Sequence, residues 1–169
     1  PRQLMEFYLP QAKSFAKNFP KTNEKNLYIY GSVGTGKTYM CNCIAKELLD
    51  RGIPVIYQTA SSILNFIADY NFSDKSKKSE LKDKYNYLEN VELLIIDDLG
   101  TEISSSVADA HLFELINNRL ISNKATIISS NLGPNDLRDS YDDRLYSRIV
   151  GNYKMINFFG DDLRTKKYR

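Results

Sequence analysis

Five short runs rich in apolar, β-branched and aromatic residues recur along the chain, at Leu27–Tyr30, Val55–Thr59, Leu93–Asp97, Thr126–Ser130 and Lys154–Phe158. Between them the apolar positions switch to helical spacing over about Lys37–Arg51, Ser61–Tyr70, Lys77–Leu88 and Ser105–Ile121, and a first helix is expected over Arg2 to Lys17. Within Ser105–Ile121, the residues Val107, Ala108, Leu112, Leu115, Ile116 and Leu120 return every three or four positions and predict one buried face. Strands alternating with helices predict an α/β domain built on a mainly parallel sheet, because parallel neighbours need a crossover between them. Turn signals punctuate this pattern: Gly52-Ile53-Pro54 closes one helix, and Asn131-Leu132-Gly133-Pro134 follows a strand. Asp142 to Ile149 reads as a further helix. No repeat or low-complexity linker divides the chain, so residues 1–169 are read as a single domain.

The junction of the first strand and the helix after it carries the clearest chemistry. Gly31-Ser32-Val33-Gly34-Thr35-Gly36-Lys37-Thr38 matches the phosphate-binding loop G-x-x-x-x-G-K-[ST] in full. Its glycines let the backbone turn its N–H groups inward onto phosphate oxygens. Lys37 supplies a point charge for the outer phosphates, and the Thr38 hydroxyl is a Mg²⁺ ligand of the right type. The helix that continues through Tyr39 aims its positive end at the same anion. A nucleoside triphosphate with Mg²⁺ is therefore expected here.

Composition narrows the setting without naming a partner. The chain has 169 residues, 42% of them hydrophobic and 26% charged, as in a folded globular domain with a real core. The net charge of +2 does not by itself announce nucleic acid. No apolar stretch approaches the length of a membrane span, and no signal peptide opens the chain, so no membrane partner and a cytoplasmic location are expected. Cys41 and Cys43 lie two apart on one helix, where they cannot readily bridge each other, and fit a reducing compartment. The sequence opens on Pro1 rather than an initiator Met and is read as part of a longer protein.

Leu93-Leu94-Ile95-Ile96-Asp97-Asp98 is an apolar strand closing on two carboxylates, at the strand edge where α/β sheets place ligands. Asp97 is assigned to Mg²⁺ opposite Thr38, and Asp98 to polarising the attacking water as general base. Asn131 ends the next strand, where its amide can hold the γ-phosphate and the water in line; a plain turn-forming Asn is the competing account. Arg144 and Arg148 share a helix face at i, i+4 spacing. They read either as a solvated pair or as an arginine finger reaching a neighbouring subunit's site.

Together GSVGTGKT, LLIIDDLG, TIISSN, DRLYSRI and the tail FFGDDLRTKKYR resemble the ATPase domain of replicative helicase loaders of the DnaC/DnaI type. These are AAA+ proteins close to the DnaA initiator and to IstB-type transposition helpers. The resemblance runs from about Asn26 to Lys167. It implies a P-loop NTPase fold with a five-stranded parallel sheet of order 5-1-4-3-2, helices on both faces and no full lid domain. It also implies ATP and Mg²⁺ as cofactors, ATP-dependent homo-oligomerisation with the site at the subunit boundary, and help in placing a replicative helicase on single-stranded DNA. Residue by residue, Asp97 matches the Mg²⁺-associated acid, Asp98 the catalytic acid, Asn131 the sensor-1 residue, Arg148 the arginine finger and Arg144 its supporting partner. Arg164 in Asp-Leu-Arg stands as a candidate for nucleotide contact. Loaders carry a separate N-terminal helicase-gripping region that nothing in Pro1 to Lys25 resembles, so the helicase partner is expected through a preceding segment.

Residues 61–88 hold two helices where the simplest crossover needs one, and the initiator and loader branch uses an extra helix here on single-stranded DNA. Lys75, Lys77, Lys78, Lys82 and Lys84 can track a backbone, and Phe72, Tyr85 and Tyr87 can stack on bases. A solvated helix is the alternative, since Asp74, Glu80 and Asp83 interrupt the charge and the tyrosines read equally as core. Arg164, Lys166, Lys167 and Arg169 extend the basic surface or form a frayed end. His111, the single histidine, is read as structural. Two other functions remain open at this point: an IstB-like transposition helper, and a small-molecule P-loop kinase, which gives no reason for Asp98. A nucleotide-gated binding module with negligible turnover is a third.

Overall fold

The computed structural model describes residues 2–21, 24–102 and 105–160. Its elements are α1 (Arg2–Asn18), β1 (Leu27–Gly31), α2 (Lys37–Asp50), β2 (Val55–Thr59), α3 (Ala60–Phe72), α4 (Lys75–Asn90), β3 (Leu93–Leu99), α5 (Ser106–Ile121), β4 (Ala125–Ser130), α6 (Pro134–Ser140), α7 (Asp143–Asn152) and β5 (Lys154–Phe158). All strand pairs are parallel, in the order β2-β3-β4-β1-β5, which is the expected order read from the other edge. The two central strands β3 and β4 are buried along nearly their whole length, which is why they appear in the sequence as unbroken apolar runs.

Successive strand residues point to opposite faces, so each strand feeds two cores. Leu27, Ile29, Leu93, Ile95 and Ile127 pack with Ala12 and Phe15 of α1 and with Met40, Ile44 and Leu48 of α2. Tyr28, Leu94, Ile96 and Ile128 pack with residues of α3, α5, α6 and α7, including Ile63, Leu115, Leu137 and Leu145. Helices α3, α4, α5 and α7 start from the caps their sequences offer: the side chains of Thr59, Asp74, Ser105 and Asp142 each accept a hydrogen bond from a backbone N–H three residues on. At the far end of α2, Gly52 (φ 72°) donates to Leu49 O at 2.9 Å and Ile53 N to Leu48 O at 3.0 Å. This paired pattern needs the left-handed residue that glycine supplies.

Three features depart from the pattern read above. Gly133-Pro134 opens helix α6 rather than a bare turn, because Pro suits the first helical position and Asp136 caps the Gly133 N–H at 3.2 Å. Val107 lies on the exposed side of α5, and the buried face is completed by Arg119, which is 0% exposed. The Arg119 guanidinium donates to Thr126 Oγ1 (3.0 Å) and to the carbonyls of Leu88 (2.9 Å), Glu89 (3.0 Å), Val91 (3.0 Å) and Ala125 (2.5 Å). It thus stitches the end of α4 to the start of β4. Third, β3 runs past Asp97 through a bulge: Ile96 pairs with Ile128, but Leu99 pairs with Ser130, leaving one extra residue on β3.

Candidate functional site

Strands β1, β4 and β3 lie side by side, and their C-terminal ends bring together the phosphate loop, Asn131 and the Asp97-Asp98 pair. The loop leaves β1 through Gly31, whose φ of 142° and crowded position both exclude a side chain: a Cβ there would lie 1.9 Å from the Phe158 carbonyl oxygen at the end of β5. Gly34 and Gly36 also hold positive φ (77° and 105°), and Gly36 is the N-cap of α2. Thr35 is buried and donates to Ser32 O at 2.8 Å, closing the loop on itself. Val33 and Tyr39 are exposed on its outer side.

Lys37, the first residue of α2, is 5% exposed, and its ammonium reaches Gly31 O (2.6 Å), Ser32 O (2.8 Å) and Asn131 Oδ1 (2.8 Å). The buried cation therefore joins the loop to the end of β4. Asp97, also buried, points to the α2 side, with Thr38 Oγ1 3.4 Å from its Oδ1. The same Oδ1 accepts from the Ser129 hydroxyl and from the Asp98 N–H (3.1 Å), and Oδ2 accepts from the Tyr57 hydroxyl at 2.6 Å. Burial, followed by the Asp97 carboxylate, holds the Tyr57 hydroxyl well above its ordinary range, so it remains an O–H donor. Burial likewise pushes up the Cys41 thiol beside these carboxylates.

The bulge decides where Asp98 goes. In a regular strand Asp98 would turn to the face opposite Asp97. Instead it adopts a left-handed conformation (φ 56°), rare for a residue with a side chain, and is exposed at the strand end. Beyond it the chain turns back, with Thr101 Oγ1 donating to Asp98 O (2.8 Å) and the Gly100 N–H to Glu102 Oε2 (2.9 Å). Glu102 Oε1 in turn accepts from the hydroxyl of Tyr141, which sits between α6 and α7.

Among the described residues, neither arginine of α7 hydrogen-bonds the phosphate loop. Arg144 pairs with Asp142 (2.8 Å) and lies over the Phe113 ring of α5 at 4.9 Å, and Arg148 Nε donates to Asn117 Oδ1 at 2.9 Å. Both are exposed, on the α5–α7 face. Arg164, Lys166, Lys167 and Arg169 lie outside the described residues.

Oxygen donors from Thr38 and Asp97, neighbours at the strand edge, fit Mg²⁺, which takes one or two protein oxygens and completes its shell from water and phosphate. Among the described residues there is no cluster of His, Cys, Asp and Glu able to cage a metal unaided. His111 contacts Asn71 at 3.0 Å and lies 6.2 Å from the Phe72 ring.

On α3 and α4 the basic and aromatic residues divide. Tyr85 stacks on Tyr70 (4.3 Å between centroids), Lys78 lies over that Tyr70 ring, and Lys77 pairs with Asp69 at 2.5 Å. Tyr85 therefore stiffens the helix pair instead of offering a free face. Phe72 (75% exposed), Tyr87, Lys75, Lys82 and Lys84 remain outward, and Tyr87 and Lys84 border a groove of about 340 Å³ against Ile56 and Phe66.

A five-stranded parallel sheet in this order, with a phosphate loop after β1, two acids after β3 and a polar residue after β4, defines a P-loop ATPase domain of the AAA+ class. The chain belongs to the bacterial DnaA ATPase domain family, whose model matches residues 6–154. It is similar to the replicative helicase loader DnaC of Buchnera aphidicola subsp. Baizongia pistaciae, with 29% identity over 157 residues, 92% of this chain and 62% of the relative. It is also similar to the chromosomal replication initiator protein DnaA of Aquifex aeolicus, with 31% identity over 125 residues, 74% of this chain and 30% of the relative. Among solved structures, the replication initiator DnaA bound to AMPPCP and single-stranded DNA superposes with a TM-score of 0.74 at 28% identity, over 89% of this chain and 44% of that one. The chain thus spans less than two thirds of the length of these curated relatives.

Proposed function

We propose that this chain binds and hydrolyses ATP with Mg²⁺ as the motor domain of a replicative helicase loader, and that copies assemble so that each site is completed by a neighbour. The observation that carries this reading is the convergence of Lys37 with Asn131 and of Thr38 with Asp97 at one sheet edge, with Asp98 turned outward beside them. Residues Gly31 to Thr38, with Tyr39 on the rim, cradle the triphosphate. Lys37 holds the outer phosphates and ties their position to Asn131. When bound through Thr38 and Asp97, Mg²⁺ neutralises charge on the phosphate oxygens. Asp98 takes the proton of a water that attacks the γ-phosphorus in line as the bond to the ADP oxygen breaks, while Asn131 orients that water. Arg148 of one copy supplies positive charge to the next copy's γ-phosphate, supported by Arg144, an assignment that agrees with both side chains facing outward on α7. Arg164 is retained as a nucleotide contact from the segment after β5.

The loader reading, with a helicase partner gripped through a preceding region, is supported by similarity to a DnaC loader over 92% of this chain. An IstB-like helper predicts the same ATPase, and capture of a transposase instead of a replicative helicase would favour it. Single-stranded DNA is assigned to residues 72–87, using Lys75, Lys82, Lys84, Phe72 and Tyr87. The test of the shared site is ATP turnover against protein concentration, with and without single-stranded DNA. The specific rate is expected to rise with concentration and to fall about a thousandfold or more in Arg148→Ala, as for other arginine fingers. A flat specific rate unaffected by Arg148→Ala refutes it.

A further inference from the structure

Tyr57 lies in a run, Val-Ile-Tyr-Gln-Thr, that reads only as a strand, yet its hydroxyl ends on the buried Asp97 carboxylate. A carboxylate has two oxygens and about four lone-pair directions. On Asp97, Oδ2 accepts from Tyr57 at 2.6 Å, and Oδ1 accepts from the Ser129 hydroxyl, the Asp98 N–H and, at 3.4 Å, the Thr38 hydroxyl. Donors on both oxygens fix rotation of the carboxylate about its last bond and leave Oδ2 with an unused direction. The donors come from both flanking strands, Tyr57 from β2 and Ser129 from β4. In register, Tyr57 sits beside Ile95 and Thr59 beside Asp97. Reaching the carboxylate from two residues upstream takes the length of a phenol, and a phenylalanine would fill the same space with no donor.

Resting on the reading of Asp97 as the Mg²⁺-associated acid, we infer that Tyr57 and Ser129 are positioning residues that clamp this carboxylate in the orientation in which it receives Mg²⁺ with the nucleotide. The chemistry agrees with how metal-ligating carboxylates are generally held, by hydrogen bonds from an outer layer whose loss weakens metal binding by about ten- to a hundredfold.

The experiment titrates Mg²⁺ against the chain with a fluorescent ATP analogue, and measures analogue binding in EDTA and thermal melting alongside. Tyr57→Phe is expected to raise the half-saturating Mg²⁺ concentration about tenfold. Metal-free nucleotide affinity should stay within about twofold of wild type, because the Lys37 contacts are untouched. Ser129→Ala, which unloads the other oxygen, is expected to act in the same direction and supplies the same readout independently of whether Tyr57→Phe folds. In an Asp97→Asn background, Tyr57→Phe should add nothing, since its effect passes through that carboxylate. A metal titration unchanged in the folded single variants, or an effect that persists undiminished on Asp97→Asn, overturns the inference. If Asp97→Asn itself leaves the Mg²⁺ titration unchanged, the assignment of Asp97 fails instead.

Discussion

The heaviest structural demand in the molecule falls on Arg119, and its replacement by Met gives a prediction whose size can be worked out. Met keeps much of the apolar stem but removes the donors of five hydrogen bonds to Thr126, Leu88, Glu89, Val91 and Ala125. Bonds from a charged group contribute about 1.5–3 kcal/mol each when deleted singly. Taken alone they would sum to roughly 10 kcal/mol, but removing the guanidinium also relieves a desolvation cost of several kcal/mol. That cost is visible in burial drawing the Arg119 pKa down to about 10, an effect only partly opposed by Tyr153, Glu92 and Glu89. What remains is mainly the penalty of stranding buried carbonyl acceptors, about 4 kcal/mol in all. Urea unfolding followed by circular dichroism should show this as a midpoint lowered by about 2 M at an m-value near 2 kcal/mol/M. The melting point should drop by about 10 °C. Arg119→Lys should lose at least as much, because one ammonium cannot reach both Leu88 O and Thr126 Oγ1 while keeping the charge buried. A loss below about 1 kcal/mol for Arg119→Met, at unchanged m-value, would refute this account of the five bonds.

Two further outcomes follow from the geometry. Raising the pH from about 10 to 12 should unfold the chain: burial lifts Tyr28 and Tyr85 to about 12, and lifts Tyr57, Tyr141 and Tyr153 further, so the native state keeps protons that the unfolded chain releases near 10. Arg119 and Lys25, both lowered first by burial, act in the opposite sense but are outnumbered by these tyrosines. Near-ultraviolet absorbance should therefore show these five of the 12 tyrosines ionising late and together with unfolding, and ionisation of all 12 near pH 10 in a still-folded chain would contradict it. Gly31→Ala puts a Cβ 1.9 Å from a backbone oxygen of β5, so fluorescent-nucleotide binding should fall more than about tenfold, corresponding to at least 1.4 kcal/mol. Retained affinity would show that β5 yields at no cost.

What the sequence made legible, and what it did not, divides by the range of the interactions involved. Central strands between helical layers must be apolar throughout, so β3 and β4 stand out, and the phosphate loop is contiguous. Asp97, Asn131 and Lys37 could be placed because strand ends in a parallel sheet share an edge. Asp98 stands out along the chain as the second acid at the strand end, but the bulge that turns it outward leaves no trace there, since it arises from pairing with β4 and not from local residues. Arg119 falls on the same helix face as Leu112, Leu115 and Ile116, yet a charged side chain gives no sequence signal of burial; the carbonyls that surround it come from distant segments, the end of α4 and the start of β4. Tyr57 gave no signal, because only the neighbouring strand's register brings its hydroxyl to Asp97. Tyr85 reads along the chain as either a base-stacking or a core aromatic, and the fold decides it by supplying Tyr70 as its stacking partner.

The contact between Glu102 and Tyr141 ties the turn after Asp98 to the segment that opens α7 within one copy. Glu102 belongs to the turn that leaves Asp98, and Tyr141 adjoins Asp142, which caps α7 and pairs with Arg144. Each copy would receive an arginine at one edge and offer its own from the other, with this carboxylate–phenol link lying between the two edges. In the proposed assembly, a shift of the turn beside one site would then be felt at the helix that carries the arginines offered to the next.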